Sequence, residues 1–235
     1  MSNPKPNSPA ASERSEFLEE AEIKSVQNQQ LVQARREQIC EAALELFLEK
    51  GFSATTIRDI CARSGVNQAS IYDYIANKND ILRRLLNQLW FREDVPTLPD
   101  VLKDTALTLE EAFAQYFRET WRKKRKSTLL VYRAVPHMPI EDRRAMRARD
   151  LALIKSLAVE LEKRTGHPAG QAETEVLANV LIFLSAFAPM RDWLLKDIPE
   201  ETMLRTVAVG AAAMVRELLS DTGAPDRRPN DQGTG

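Results

Sequence analysis

Along this 235-residue chain, apolar positions recur with helical spacing. From Gln33 onward, Ile39, Ala42, Ala43, Leu46 and Phe47 fall at i, i+3, i+4, i+7 and i+8. This is one face of a helix that Gly51 ends, with Phe52 plugging the turn beyond it. Thr56 and Asp59 form a T-x-x-D capping box ahead of Ile57, Ile60 and Cys61, a second short apolar face closed by Gly65. Val66 plugs that turn, and Asn67 can cap a third helix over the stretch QASIYDYI. Asn77 and Asp80 open a fourth helix, whose face runs through Ile81, Leu82, Leu85, Leu86 and Leu89 to Trp90.

The segment Asp94 to Asp100 holds two prolines and breaks the pattern, which then stays helical. Thr108 with Glu111 opens a helix reaching Lys126, and a short helix follows over 127–135. Pro136 and Pro139 make a kinked joint, and Pro139 starts a long helix to Thr165 that Gly166-His167-Pro168 breaks. A strongly apolar helix is predicted over 171–188, with Val176, Leu177, Val180, Leu181, Leu184 and Phe187 directed inward, and a last helix from Pro199 to Leu219. The fold class expected is all-α, with no strand and no internal repeat. Residues 1–32 are expected to be a flexible or partly helical arm, with the Pro-, Ser- and Asn-rich start disordered, and 221–235 a disordered tail.

Composition narrows the function classes. The formal net charge is −1, so binding to nucleic acid must come from local basic placement and helix dipoles and not from a global polycation. The two cysteines, Cys40 and Cys61, sit on apolar helical faces, which suits a reducing cytoplasm and core packing better than a disulfide framework. No segment approaches the roughly 18 apolar residues of a membrane span, and the N-terminus lacks a signal peptide's apolar stretch. His137 and His167 make no metal-ligand spacing with the cysteines and no catalytic dyad or triad is visible, so catalytic residues, metal and cofactor are all expected to be none.

Two helices around a short glycine turn form a helix-turn-helix, whose second helix usually lies in the DNA major groove. The run from Arg35 to Leu82 also resembles the DNA-binding domain of TetR-family transcriptional regulators. The blocks that carry the resemblance are Ala43, Leu46, Phe47 and Gly51; Thr55-Thr56; Ile60-Cys61; Ser64-Gly65-Val66; Ile71-Tyr72-Asp73-Tyr74; and Lys78. Cys61 stands where the family commonly has Ala, and Ile75 where Phe is usual. The resemblance implies a homodimer that is not an enzyme. Each subunit would pair a three-helix DNA-binding domain, here 33–78, with a larger helical domain for effector binding and dimerisation, here 79–220. The fourth helix would carry the effector's signal, and a palindromic operator on double-stranded DNA would be released when a small molecule binds.

Residue chemistry assigns roles at the corner. Gln68 suits a bidentate pair with adenine and Ala69 a thymine methyl. Ser70, Tyr72 and Tyr74 suit phosphate hydrogen bonds, while the carboxylate of Asp73 fits a structural or water-mediated role. Lys78 suits a phosphate as a point charge. Thr55 and Thr56 stand at a helix N-terminus, and Arg58 can reach a base or phosphate. Arg35 and Arg36 belong either to an arm on the DNA or to a solvated helix start. Glu37, Glu41, Glu45 and Glu49 line one face of the first helix, expected to point away from DNA.

A second basic concentration, WRKKRK at 121–126 followed by Arg133, Arg143, Arg144, Arg147 and Arg149, has two readings. One is a solvated helix end; the other is a site for an anionic effector such as an acyl-CoA, with Arg125, Arg133, Arg143 and Arg147 on the phosphates. Trp121, Tyr132, His137, Met138, Phe183, Phe187 and Trp193 are candidates for the effector's apolar part, or else core and interface packing. The two last long helices carry more apolar residues than one face needs, which points to a homodimer through them. An effector-independent DNA-binding regulator is the alternative, and an enzyme of the helical domain the remote one.

Overall fold

The structure is a computed structural model that describes residues 17–23, 29–90, 94–168 and 170–219. Within them the chain forms ten α-helices and no strand. Helix α1 (Gln29–Lys50) begins one turn before Gln33, with Val32 already buried. Helix α2 (Ile57–Ser64) carries the expected capping box: the Asp59 amide donates to Thr56 Oγ1, and Asp59 Oδ2 accepts from the Thr56 amide at 2.8 Å. Gly51 and Gly65 end α1 and α2 with φ of +89° and +72°, where an L side chain would be strained.

The third helix of the corner differs from expectation. Residues 68–74 form a tight turn that closes in a 3-10 turn, Ile71–Asp73. Asn67 takes over the amides that would start an α-helix. Its Oδ1 accepts from the Ala69 amide, and its carbonyl accepts from the amides of Ser70 and Ile71 and from the Ser70 hydroxyl. Ile71 and Ile75, both fully buried, then anchor a segment that has no other apolar face.

Helix α3 (Lys78–Leu89) is capped by Asn77, whose Oδ1 accepts from the Asp80 amide. The expected break at 94–100 ends inside a short helix, α4 (Leu98–Leu102), because Thr97 and Asp100 make another capping box and Pro99 fits its first turn. Then come α5 (Leu109–Lys123), α6 (Arg125–Ala134), a 3-10 turn (Val135–His137) and α7 (Ile140–Thr165), which Gly166 ends at φ +78°. The single apolar helix expected over 171–188 is instead two, α8 (Ala172–Leu184) and α9 (Phe187–Leu195), bent by 46°. Pro189 has no amide to bond the Ser185 carbonyl. That carbonyl accepts from Trp121 Nε1 at 3.0 Å instead, and the Ser185 hydroxyl turns back onto Ile182. Helix α10 (Glu200–Leu219) packs along α5. No single helix is long and apolar enough to cross a membrane.

Two hydrophobic cores hold the chain, and their boundary is not at residue 78. The first joins α1, α2, the 71–75 segment and α3 to Leu130, Val131 and Ala134 of α6 and to Met138 and Met146. The second joins α4, α5, the C-terminal half of α7, α8 and α10. Helix α6 therefore finishes the core of the helix-turn-helix unit. On α8, Val176 and Val180 point outward, at 64% and 39% exposed, against the expectation that they face inward.

Residues 17–23, expected in the flexible or partly helical arm, lie fixed along α3. Asn87 brackets Leu18 with two 2.9 Å bonds, accepting from its amide and donating to its carbonyl. Arg84 is buried between Asp80, Glu20 and the Ala21 carbonyl. The disorder expected at the extreme N-terminus and over 221–235 lies outside the described residues.

Candidate functional site

The helix-turn-helix corner presents a small exposed tip. Gln68, Ala69, Tyr72 and Asp73 are exposed there, Tyr72 to 53%, and Arg58 is exposed on α2. No hydrogen bond or ion pair among the described residues engages the side chains of Arg58, Gln68, Tyr72 or Asp73, which leaves them open to a partner.

Several other residues expected at that surface have structural work instead. The Lys78 ammonium donates to the carbonyls of Phe52 (2.7 Å), Thr55 (2.8 Å) and Ser53 (3.4 Å), and sits 4.4 Å from the Phe52 ring centre. All three of its protons are committed, so it is a clamp between α3 and the α1–α2 turn and not a free phosphate contact. Burial pushes its pKa down. Thr55 is buried and its hydroxyl donates to the Gly51 carbonyl; the Thr56 hydroxyl is held by Asp59. The Ser70 hydroxyl donates to Asn67 O, and half-buried Tyr74 packs on the first core. Arg36 Nε donates to the Tyr74 carbonyl, which ties α1 to the end of the turn, while Arg35 stays exposed beside Gln38. On the α1–α2 face, Arg63 bonds Glu45 and Glu49 at 2.9 Å each, and Lys50 pairs with Asp59 at 2.7 Å. The bond from Lys50, then that from Thr56, holds the Asp59 carboxyl well below its usual range.

Residues 39–85 match the family model of bacterial regulatory proteins of the tetR family. That match covers about a fifth of the chain. Among TetR-type relatives, the chain is 32% identical to the HTH-type transcriptional regulator HbdR of Aromatoleum sp. (strain CIB) over 124 residues, 52% of this chain and 54% of that protein. It is 29% identical to the HTH-type transcriptional repressor BepR of Brucella suis biovar 1 (strain 1330), over 63% of this chain and 75% of that one. The first likeness thus spans about half of HbdR's length. In fold, it resembles the crystal structure of a tetR-family bacterial regulatory protein from Rhodococcus RHA1. The TM-score is 0.58 at 16% identity, covering 79% of this chain and 97% of the other.

In the helical part of the chain, a cavity of about 400 Å³ opens between α3, α6, α7 and α8. A smaller lobe of about 90 Å³ adjoins it; Trp90, Asp150, Leu153, Ile182 and Ser185 line both. Of the predicted effector residues, Tyr132 and Phe183 line the cavity, as an edge-to-face pair 5.7 Å apart. The others do not. Trp121 is buried in a stack with Phe117, and Met138 belongs to the first core. Arg125 pairs with Asp192, and Arg133 donates to the Leu48 carbonyl at the end of α1. His137 lies exposed in the 3-10 turn, and Arg143 and Arg147 are exposed on α7. Phe187 lies half-buried at the start of α9, and Trp193 is 70% exposed beside Arg191. The basic run 121–126 is largely matched by acids: Arg122 with Glu200, Lys123 with Glu119 and Arg125 with Asp192.

The cavity brings in residues that the sequence reading missed, above all Trp90, Thr120 and Asp150. A signal for Asp150 was present. It interrupts the apolar stripe Met146, Leu153, Leu157, Leu161 of α7, at the i+4 place after Met146. Solvent reaches its carboxylate through the cavity, yet the surrounding atoms desolvate it and raise its pKa, which Arg149 only partly offsets. No group of three His, Cys, Asp or Glu among the described residues is placed to hold a metal.

Proposed function

We propose that this protein is a homodimeric, sequence-specific DNA-binding transcription regulator of the repressor type, released from its operator when a small molecule fills the cavity. The observation that carries this reading is the exposed tip of Gln68, Ala69 and Tyr72 on a corner whose Lys78, Arg36, Thr55 and Thr56 are internally bonded. A rigid mount with a few open side chains suits base readout. Gln68 would take adenine, Ala69 a thymine methyl, and Tyr72, Arg58 and Arg35 the phosphates. Asp73 would act through water, since phosphates repel it. The names of HbdR and BepR, as regulator and repressor, support the same reading. Such a protein works in the cytoplasm.

Val176, Val180 and Phe183 make one exposed apolar row on α8, and Val209 and Leu218 are exposed on α10. Pairing these helices with their symmetry mates would bury both rows in a four-helix interface. It would also set two corners to read half-sites about one helical turn, or a multiple of it, apart. Coupling to the cavity has a physical route. Trp90, just past the end of α3, is in the cavity wall, while Lys78 begins that helix on the DNA-binding corner. Val131 of α6 lines the cavity and also packs in the first core, and Arg83 of α3 holds Asp142 of α7 at 2.9 Å. A ligand that prefers one setting of α3 and α6 shifts the population of corner spacings. An acyl-CoA effector has less support, because the arginines expected on its phosphates line neither lobe.

The test is an operator selected from random duplexes and read by fluorescence anisotropy. Gln68→Ala should lower discrimination at one base pair by about 1–3 kcal/mol. Tyr72→Phe should weaken all sequences alike. Wild-type affinity and preference in both variants would remove the tip from the DNA.

A further inference from the structure

We infer that the cavity takes an organic cation: a ligand with an apolar body lying against Trp90, Tyr132 and Phe183, and a protonated amine paired with Asp150. The inference rests on the reading of this cavity as the effector site and adds the ligand's chemical class. Three observations carry it. First, the larger lobe is walled mainly by apolar and aromatic side chains, with Tyr132 and Phe183 set edge to face at 5.7 Å. Second, the Asp150 carboxylate lines both lobes and has no hydrogen bond or ion pair among the described residues. Asp150 itself is exposed, whereas the buried carboxylates Asp80 and Asp142 are held by Arg84 and Arg83. Third, Thr120 lines the smaller lobe at 3% exposed, with its hydroxyl beside the Tyr116 phenol of the same lobe. The smaller lobe thus gathers two hydroxyls and one unpaired carboxylate, a set of acceptors for a ligand's donor.

The sign of the charge follows from what else is there. Lys124 and Arg149 line the smaller lobe, but both have partners already. An anionic head would be repelled by Asp150, and a purely apolar ligand would cover the carboxylate and leave it unpaired. An ammonium satisfies the carboxylate, can donate a further proton to Thr120 Oγ1, and gains from aromatic faces nearby.

The test uses three probes with one body, 4-phenylbutylamine, 4-phenylbutanol and 4-phenylbutyrate, on the full chain by calorimetry and thermal shift. The amine should bind about ten-fold or more tighter than the alcohol, and the acid weakest. Asp150→Asn should erase the amine's advantage and leave the alcohol's affinity unchanged. Asp150 is exposed and its side chain has no hydrogen bond or ion pair among the described residues, so that variant keeps the fold. Phe183→Ala should weaken all three probes, and if it does not, binding is elsewhere and the inference falls. An acid that binds as well as the amine, or an amine preference that survives in Asp150→Asn, overturns the inference. If amine and alcohol bind equally well, the cation falls while the effector cavity stands. If no probe binds, both fall.

Discussion

The corner and the cavity treat polar groups in opposite ways. At the corner, each helix start and each buried charge has a partner. Thr56 and Asp59 cap each other, Lys78 binds three carbonyls, Arg36 binds the Tyr74 carbonyl, and Arg84 is shared by Asp80, Glu20 and Ala21. In the cavity, the Asp150 carboxylate has no hydrogen bond or ion pair among the described residues, and Thr120 has only the Tyr116 phenol beside it. A satisfied network has one low-energy arrangement and holds its tip in place. An unsatisfied one is a store of free energy that a ligand can release, at some cost to the stability of the empty protein. The difference suits the proposed roles, a rigid reader at the corner and a responsive sensor at the cavity.

The comparison breaks first at Arg84. Arg84→Ala takes the cation from the Asp80 carboxylate, itself 1% exposed and then held only by the amides of Ala21 and Ala76, and loosens residues 17–23 from α3. A loss of about 3–5 kcal/mol is expected in urea unfolding, since removing one partner of a buried pair leaves an uncompensated charge. A loss below about 1 kcal/mol would mean that the corner does not depend on its network.

Lys78→Met keeps the stem over Phe52 and removes three bonds to carbonyls. About 1.5–3 kcal/mol of stability should go, because hydrogen bonds to charged groups are worth that much. The salt dependence of DNA binding should stay unchanged. A drop of about one in its slope would instead make Lys78 a phosphate contact, as the sequence alone suggested.

The acid limb gives the smallest effect. The Asp59 carboxyl is held below its unfolded value of 3.8, first by Lys50 and then by Thr56. Its contribution is therefore present above that value and is lost as pH falls through the lower folded one. Asp59→Asn should flatten the decline in melting temperature below pH 4, as read by circular dichroism. An unaltered acid limb would show that this exposed pair contributes nothing.

Much of the corner was legible from local chemistry. Capping boxes, left-handed glycines and i, i+3, i+4 stripes act within one or two turns, so Thr56, Gly65 and Asn77 declared their roles in the sequence. The open face of Gln68, Ala69 and Tyr72 could be read the same way. The roles of Lys78, Thr55 and Arg36 could not, because each depends on a carbonyl that is distant in the chain or directed inward by the turn. For Lys78 the acceptors lie 23 to 26 residues away, at the α1–α2 turn. A lysine beside a helix start looks like a phosphate ligand until the fold brings those carbonyls under it.

By itself, the sequence determined the helical class, the helix-turn-helix and its tip, since these rest on short-range periodicity and caps. Only the tertiary structure decided where the cores divide, that α6 completes the helix-turn-helix core, and that the arm's residues 17–23 lie along α3. It also decided that Asp150 and Thr120 meet in one cavity while the arginine run is matched by acids. The physical reason is range. A charge in the sequence has a sign but no neighbours, and whether it is a clamp, a surface ion or an open anchor depends on which distant groups packing brings to it.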